Sequence, residues 1–463
     1  MAEERIFLEG EEGPPAIAKR ARIAARSLSG FPSEKKNSVL LAVADGIEAA
    51  RDAILEANRA DVLRLRTTSE EIPSSLRPSS SSSSSSAEIS SSSRSLLDRL
   101  VLDEEKVRGM AAGVRAVAAL PDPVGRVLTR TLLDDGLVLE RVTVPIGVLL
   151  FVFESRPDAV PQIASLALKS GNAAILKGGR ESARSTSAIL DVFARVCAAH
   201  AVPEGALQSV GGRADVDALL ALDDDIDLVI PRGGYDLVKH IKANTRIAVL
   251  GHSEGICHVY VDRFADEAMA TAIALDAKLQ YPAACNAAET LLVHREAAVR
   301  FLVPLLSRIA KAGTELRACE KTRALAASIP LSPATEEDWR TEYGGPVLAV
   351  KIVESLDEAV EHVNRYGSHH TEAIVTDDAR TAESFLARVD AAGVFHNAST
   401  RFADGFRYGF GAEVGVSTSR LHSRGPVGLD GLVTYKYVLR GSGQVVSSYS
   451  GKGARPFRHE KID

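Results

Sequence analysis

From Pro15 to about Asn58 apolar positions recur at three- to four-residue intervals. In KKNSVLLAVADGIEAARDAILEAN they fall on Val39, Leu40, Val43 and Ile47, which predicts two amphipathic helices. The pattern then fails in RPSSSSSSSSAEISSSSRS, residues 77–95, where serine leaves almost nothing to bury. This tract is expected to be a disordered surface insertion, with a phosphorylatable regulatory loop as the alternative. Helical spacing resumes in SLLDRLVLDEEKVRGMAAGVRAVAAL and ends at PDPVG, where two prolines break it.

Beyond that point short β-branched runs alternate with longer amphipathic ones. ERVTVPIGVLLFVFE, NAAILKGG, DIDLVIPRGG and RIAVLGH read as strands, and the stretches between them as helices. This rhythm predicts a doubly wound parallel sheet. A second α/β series opens with FADEAMATAIALDAKL and runs through ETLLVH, PVLAVKIV and EAIVTDD. The closing GLVTYKYVLRGSGQVV alternates as an antiparallel edge strand does, one able to extend a sheet in a partner subunit.

Composition narrows the function. A chain of 463 residues is long enough for two or more domains. A formal charge of −6 argues against nucleic acid and anionic membranes as partners, leaving small molecules or further copies of the chain. The acidic amino terminus has no apolar core of a signal peptide, no apolar run is long enough to cross a bilayer, and the four scattered cysteines suit a reducing cytoplasm. No metal-ligand spacing is present, so no metal site is expected.

Among those cysteines Cys285, in QYPAACNAAET, sits at a break between a helix and a strand, where a side chain can meet a ligand. Cys197 and Cys257 read as core fillers, and Cys319 as a bystander. Two strand ends offer anion sites: Gly233–Gly234 before a helix, and Lys177 with Arg180 after a strand. Each also has a plainer reading, as a tight turn and as a pair of solvated cations. GHSEG matches the GxSxG of serine hydrolases, with Ser253 as nucleophile, but that elbow requires a helix next and ICHVYVD reads as a strand. Anion sites beside a thiol fit oxidation or reduction at the aldehyde level, where a thiolate holds the acyl group while hydride is exchanged.

ESRPD, LKSGNAAILKGG, IPRGG, HSEGICHVYVD, YPAACNAAETLLVH and NASTRFADGFRYGFGAEVGVSTSRLHSRGPVGLDGL together resemble the gamma-glutamyl phosphate reductase branch of the aldehyde dehydrogenase superfamily, from about residue 15 to 450. The resemblance implies an α/β, aldehyde-dehydrogenase-like fold. A Rossmann-type NADPH-binding domain would take residues 1–120 and 145–250, a second α/β catalytic domain residues 251–425, and a small β oligomerisation element residues 121–144 with 430–450. It implies NADPH-dependent reduction of L-glutamyl 5-phosphate to L-glutamate 5-semialdehyde, a step of proline biosynthesis, in a homo-oligomer coupled to a glutamate 5-kinase. Cys285 falls on the family's nucleophile and Arg156 on its oxyanion asparagine, where a cation could hold the thioester oxygen or the departing phosphate, with a structural salt bridge as the alternative; Asn286, beside the nucleophile, is a candidate to shape the same pocket. Lys177, Gly233, Gly234 and Glu342 fall on its cofactor contacts, and to these we add Arg180 as a partner for a ribose phosphate. Ser399, Thr400, Arg401, Ser417, Thr418 and Ser419 are candidate substrate contacts. His252 stands near the place of the glutamate that activates water in hydrolytic aldehyde dehydrogenases; Glu254 is the substitute if a base is retained. A non-catalytic scaffold regulated through its serine tract is the third reading, beside the reductase and the hydrolase.

Overall fold

The computed structural model describes residues 13–70, 97, 99–154, 156–252 and 254–463. The serine tract and Ser253 lie outside the described residues, so neither the loop readings nor the hydrolase nucleophile is placed. The next element after GHSEG is nonetheless a strand, Cys257–Val261, which leaves the elbow without its helix.

The amino-terminal region forms three helices where the pattern predicts two: Pro14–Leu28, Ser33–Ala49 and Arg51–Glu70. The second and third meet at Ala50, which leaves the helical region without any glycine or proline to announce the break. Val39, Leu40, Val43 and Ile47 are all buried, as their spacing requires. A fourth helix, Glu104–Ala119, is capped by the Asp103 carboxylate, which accepts from the Lys106 N–H. The first of these packs directly on a five-stranded sheet and on the helix Arg213–Leu219, whereas the other three pack on the helices Ala159–Lys169 and Ala183–Ala199.

Three sheets carry the architecture. Strands β1 (Val127–Asp134) and β2 (Leu137–Pro145) pair antiparallel and project as a ribbon. Strands β3 (Val148–Phe153), β4 (Ala173–Lys177), β5 (Leu207–Ser209), β6 (Leu228–Arg232) and β7 (Ala248–Val249) form a parallel sheet in the order β5-β4-β3-β6-β7. The seven strands β8 (Cys257–Val261), β9 (Ala288–His294), β10 (Glu315–Ala318), β11 (Ser332–Pro333), β12 (Val347–Val353), β13 (Thr371–Val375) and β14 (Gly393–His396) form a second parallel sheet, ordered β11-β10-β12-β9-β8-β13-β14. A short ladder joins β15 (Val416–Ser417) to β16 (Gly425–Pro426). Finally β17 (Val433–Arg440) returns to β2, and β18 (Glu460–Ile462) closes β1, an added strand that the alternation did not announce.

Parallel sheets sandwiched by helices need strands that are apolar on both faces. Strand β3 is buried along its whole length, and so is β8. The functional loops therefore gather at the carboxyl ends of the strands, where open α/β sheets bind ligands.

Candidate active site

Cys285 lies in the turn between the helix Glu267–Leu279 and β9, and is partly exposed. The turn is closed by its own backbone, with Ala287 N–H donating to the Ala284 carbonyl at 2.8 Å. Gly255 packs directly beneath it: a Cβ at that position would stand 2.0 Å from the Cys285 carbonyl oxygen and 2.8 Å from its Cα. Only glycine lets the two backbones approach so closely. The Cys257 thiol, 3.4 Å from the same carbonyl, is kept protonated by burial, as its reading as core filler requires.

Two guanidinium groups, Arg232 and Arg401, stand close enough to Cys285 to interact with its charge, and Arg156 stands close to Arg232. Arg401, buried, is held by Gln280 at 2.9 Å and lies over the Tyr281 ring. Arg232, at the end of β6, has an Nη1 that is shielded from water and has no hydrogen-bond partner among the described residues. Burial disfavours its charge most, and repulsion from Arg156 adds to that, while Glu413, Asp158 and Cys285 counteract it. Arg401 is likewise opposed first by burial and then by Arg407, and favoured by Cys285. The sequence reading found Arg156 and Arg401 but missed Arg232. A cation ending an apolar strand immediately before Gly233 was the available signal.

Asn286, next to Cys285, is held by a contact far along the chain. Its buried amide Nδ2 donates to the Ala403 carbonyl at 2.8 Å, and Oδ1 finds no partner among the described residues. The amide ties the turn that carries Cys285 to the segment 400–403. Ser399 is also engaged locally, its Oγ accepting from the Arg401 N–H. Thr400 Oγ1 is buried and unpartnered among the described residues. Ser417 Oγ receives the Ser419 N–H at 3.4 Å and Ser419 Oγ the Leu421 N–H at 3.0 Å, so these hydroxyls shape the turn around half-buried Thr418. That turn meets the site through His252, whose Nδ1 is 2.9 Å from the Val416 carbonyl.

The cofactor side opens as a cavity of about 790 Å³ lined by Glu154, Lys177, Arg180, Arg213 and Asp236, among others. Lys177 stands close enough to Arg180, Arg213 and Glu181 to feel their charges, but burial is the main force lowering its pKa. Gly234 N–H, at the start of the helix Tyr235–Ala243, points to the Glu154 carboxylate at 3.3 Å. A Cβ on Gly233 would meet Glu154 and Leu237 side chains at 2.7 Å, so the turn is a cradle only glycine leaves open. Cations, an N-terminal helix turn and carboxylates able to hold ribose hydroxyls make a donor set that fits a dinucleotide. Glu342 approaches from the other half: with Glu337 it reinforces the rise that burial imposes on the pKa of Glu254. The loop that carries Glu342 is anchored by Gly344 N–H donating to Glu289, which is itself paired with Lys278 at 2.6 Å.

A partly exposed thiol in the turn before β9 of one parallel sheet, and a cleft at the strand ends of the other, are the parts that a thiol-dependent nicotinamide oxidoreductase requires. The aldehyde dehydrogenase family model matches residues 142–324 and 331–430. A gamma-glutamyl phosphate reductase of Synechococcus sp. (strain JA-3-3Ab) is 52% identical over 445 residues, covering 96% of this chain and 93% of its own. One from Haloquadratum walsbyi is 49% identical over 462 residues, covering 98% and 97%. The crystal structure of gamma-glutamyl phosphate reductase from Thermotoga maritima superposes with a TM-score of 0.86 at 38% identity, covering 94% of this chain and all of that one. An acetylating aldehyde dehydrogenase from Geobacillus thermoglucosidasius, 16% identical with a TM-score of 0.62, shares the fold. The chain belongs to the gamma-glutamyl phosphate reductase family of the aldehyde dehydrogenase superfamily, and is an oxidoreductase whose fold implies a nicotinamide cofactor. Among the described residues no helix is long and apolar enough to cross a membrane.

Proposed function

We propose that the chain reduces L-glutamyl 5-phosphate to L-glutamate 5-semialdehyde at the expense of NADPH, releasing phosphate, as a step of proline biosynthesis in the cytoplasm. The observation that carries this reading is the pair of guanidiniums, Arg232 and Arg401, that face the thiol, with Arg156 beside Arg232. Arg156, Arg232 and Arg401 suit a substrate bearing both a phosphate and a carboxylate. Names of relatives at about half identity over nearly the full chain support the same substrate.

In this mechanism Cys285 loses its proton and its sulfur attacks the acyl carbon, forming a C–S bond while the C–O bond to phosphate breaks. His252 and His370 each place a ring nitrogen within 4.8 Å of Sγ, so an imidazole is at hand for that proton. Arg232 and Arg156 receive the departing phosphate, and Arg401 the substrate carboxylate. Lys177, Arg180 and Arg213 hold the 2′-phosphate and neighbouring ribose of NADPH, Gly233–Gly234 its pyrophosphate, and Glu342 its nicotinamide ribose. The dihydronicotinamide, when bound, supplies hydride to the acyl carbon; the C–S bond then breaks, freeing the aldehyde and restoring the Cys285 thiolate. Burial, and after it Glu342 and Glu337, raise the pKa of Glu254 above the ordinary carboxylate range.

A homo-oligomer belongs to the same proposal. Strand β17 ends its sheet with Tyr435, Tyr437 and Leu439 exposed, an edge suited to a second copy.

The test is turnover in reverse, with glutamate semialdehyde, phosphate and NADP⁺ or NAD⁺, followed by acid trapping and digestion. Phosphate-dependent reduction of NADP⁺ in preference to NAD⁺ is expected, with a glutamyl adduct on Cys285. An adduct on another side chain, or phosphate-independent turnover, would overturn the reading.

A further inference from the structure

Cys285 is part of a second constellation, assembled from segments 85 residues apart along the chain between Cys285 and His370. One donor atom each from His252, Cys285 and His370 falls in a group whose members all lie within 4.8 Å of one another. The two imidazoles meet edge to face with centroids 5.1 Å apart.

Each ring is oriented from behind. His252 Nδ1 is 2.9 Å from the Val416 carbonyl, which can only accept, so Nδ1 carries the proton and Nε2 keeps its lone pair. His370 Nδ1 is 2.9 Å from Thr371 Oγ1, a hydroxyl able to accept from it. An imidazole whose second nitrogen is engaged by a backbone carbonyl or hydroxyl is in the form that ligates metals. His370 is fully buried, and its Nε2 has no hydrogen-bond partner among the described residues. A buried polar atom in that condition calls for a ligand or water.

We propose that this cluster is a binding site for Zn²⁺, with Cys285 Sγ as thiolate, Nε2 of His252 and of His370, and a water as the fourth ligand. Tetrahedral zinc with sulfur at about 2.3 Å and nitrogen at about 2.0 Å places its ligands roughly 3.5 Å apart. The present spread exceeds that by about 1 Å, a distance the half-exposed His252 side chain closes by rotating. A thiolate with two imidazoles selects zinc over magnesium or calcium, which require oxygen donors. Binding expels the thiol proton and occupies the lone pair that would attack substrate. The metal is therefore an inhibitor that closes the nucleophile reversibly, without taking part in turnover.

The experiment needs neither substrate nor nicotinamide. The full chain, stripped of metal, is titrated with zinc chloride, and alkylation of Cys285 by iodoacetamide is followed by peptide mass spectrometry, with magnesium chloride as control. Micromolar zinc is expected to slow alkylation and raise the melting temperature, and magnesium to do neither. His252→Gln and His370→Asn are each expected to weaken protection by at least about tenfold. Cobalt(II) added to the unaltered chain is expected to give a thiolate-to-metal charge-transfer band of a tetrahedral site, a readout that survives if the buried variant does not fold. Protection with the same midpoint in both variants, no protection at millimolar zinc, or no charge-transfer band would overturn the proposal. Because no turnover is measured, these outcomes leave the acyl phosphate reading untouched, and a failed reverse assay leaves the zinc site standing.

Discussion

The two parallel sheets solve the same packing problem with different interiors. Around the cofactor cleft the strands are apolar inside, and their charges sit at the ends: Lys177 closes β4 and Arg232 closes β6. In the catalytic half, ionisable groups enter the strands themselves. Glu289 in β9 is paired with Lys278 at 2.6 Å, and Glu372 in β13 accepts from both the backbone N–H of His258 at 2.7 Å and its ring at 2.9 Å. All four side chains are fully buried. Burial raises the pKa of Glu289 to about 7 and lowers that of Lys278, so each charge persists only through the other. A cleft suited to a dinucleotide is served by half-buried charges at strand ends. A turn that must hold one sulfur in place is served by buried polar anchors, which have few alternative arrangements.

The sharpest way to break this contrast is one methyl group on each side. Gly255→Ala forces a Cβ into the Cys285 backbone and is expected to lower turnover by about 10²-fold with cofactor affinity unchanged, because a misplacement of about 1 Å is enough. Gly233→Ala meets only side-chain atoms of Glu154 and Leu237, so it is expected to raise the KM for the nicotinamide cofactor and leave the alkylation rate of Cys285 alone. Steady-state kinetics and thiol labelling separate the two. If both variants damaged the same parameter, the division of labour would fail.

The buried anchors make a second, thermodynamic contrast. Lys278→Met strands Glu289 and is expected to cost about 3–5 kcal/mol in urea unfolding, most of it recovered when Glu289→Leu is added. Lys177→Met, at a strand end, is expected to change stability by no more than about 1 kcal/mol.

The smallest effect concerns acid. Asp390 holds Arg420 and Arg424 of the segment beyond Ser417, and these guanidiniums depress its pKa to about 2, from an ordinary 3.8. A depressed carboxylate contributes stability above its ordinary pKa and loses it as pH falls through the folded value. Because Arg420 is largely exposed and water screens the pair, the difference in stability between the unaltered chain and Asp390→Asn is expected to reach only about 0.5 kcal/mol above pH 4 and to vanish below about pH 2. A pH-independent difference would show that the arginines act by packing alone.

Much of the site was legible along the chain because its parts are short-range. A glycine pair between a strand and a helix, a lysine at a strand end and a cysteine at a helix–strand break each reveal themselves within a few residues, as at Gly233–Gly234, Lys177 and Cys285. Roles that depend on a distant partner were not legible: Asn286 is tied to the Ala403 carbonyl and Arg401 to Gln280, each more than a hundred residues away along the chain. Ala50, with neither glycine nor proline beside it, concealed the boundary between two helices.

Hydrophobic periodicity by itself determined the alternation of strands and helices, and with it the parallel sheets and the ends at which ligands gather, since each depends on the spacing of neighbours. Only the tertiary structure decided which charges surround the thiol, that Gly255 lies beneath Cys285, and that His252 and His370 converge on its sulfur. The strand order sets β8 between β9 and β13, joining residues more than a hundred positions apart, and no local pattern carries the energy of a contact between them.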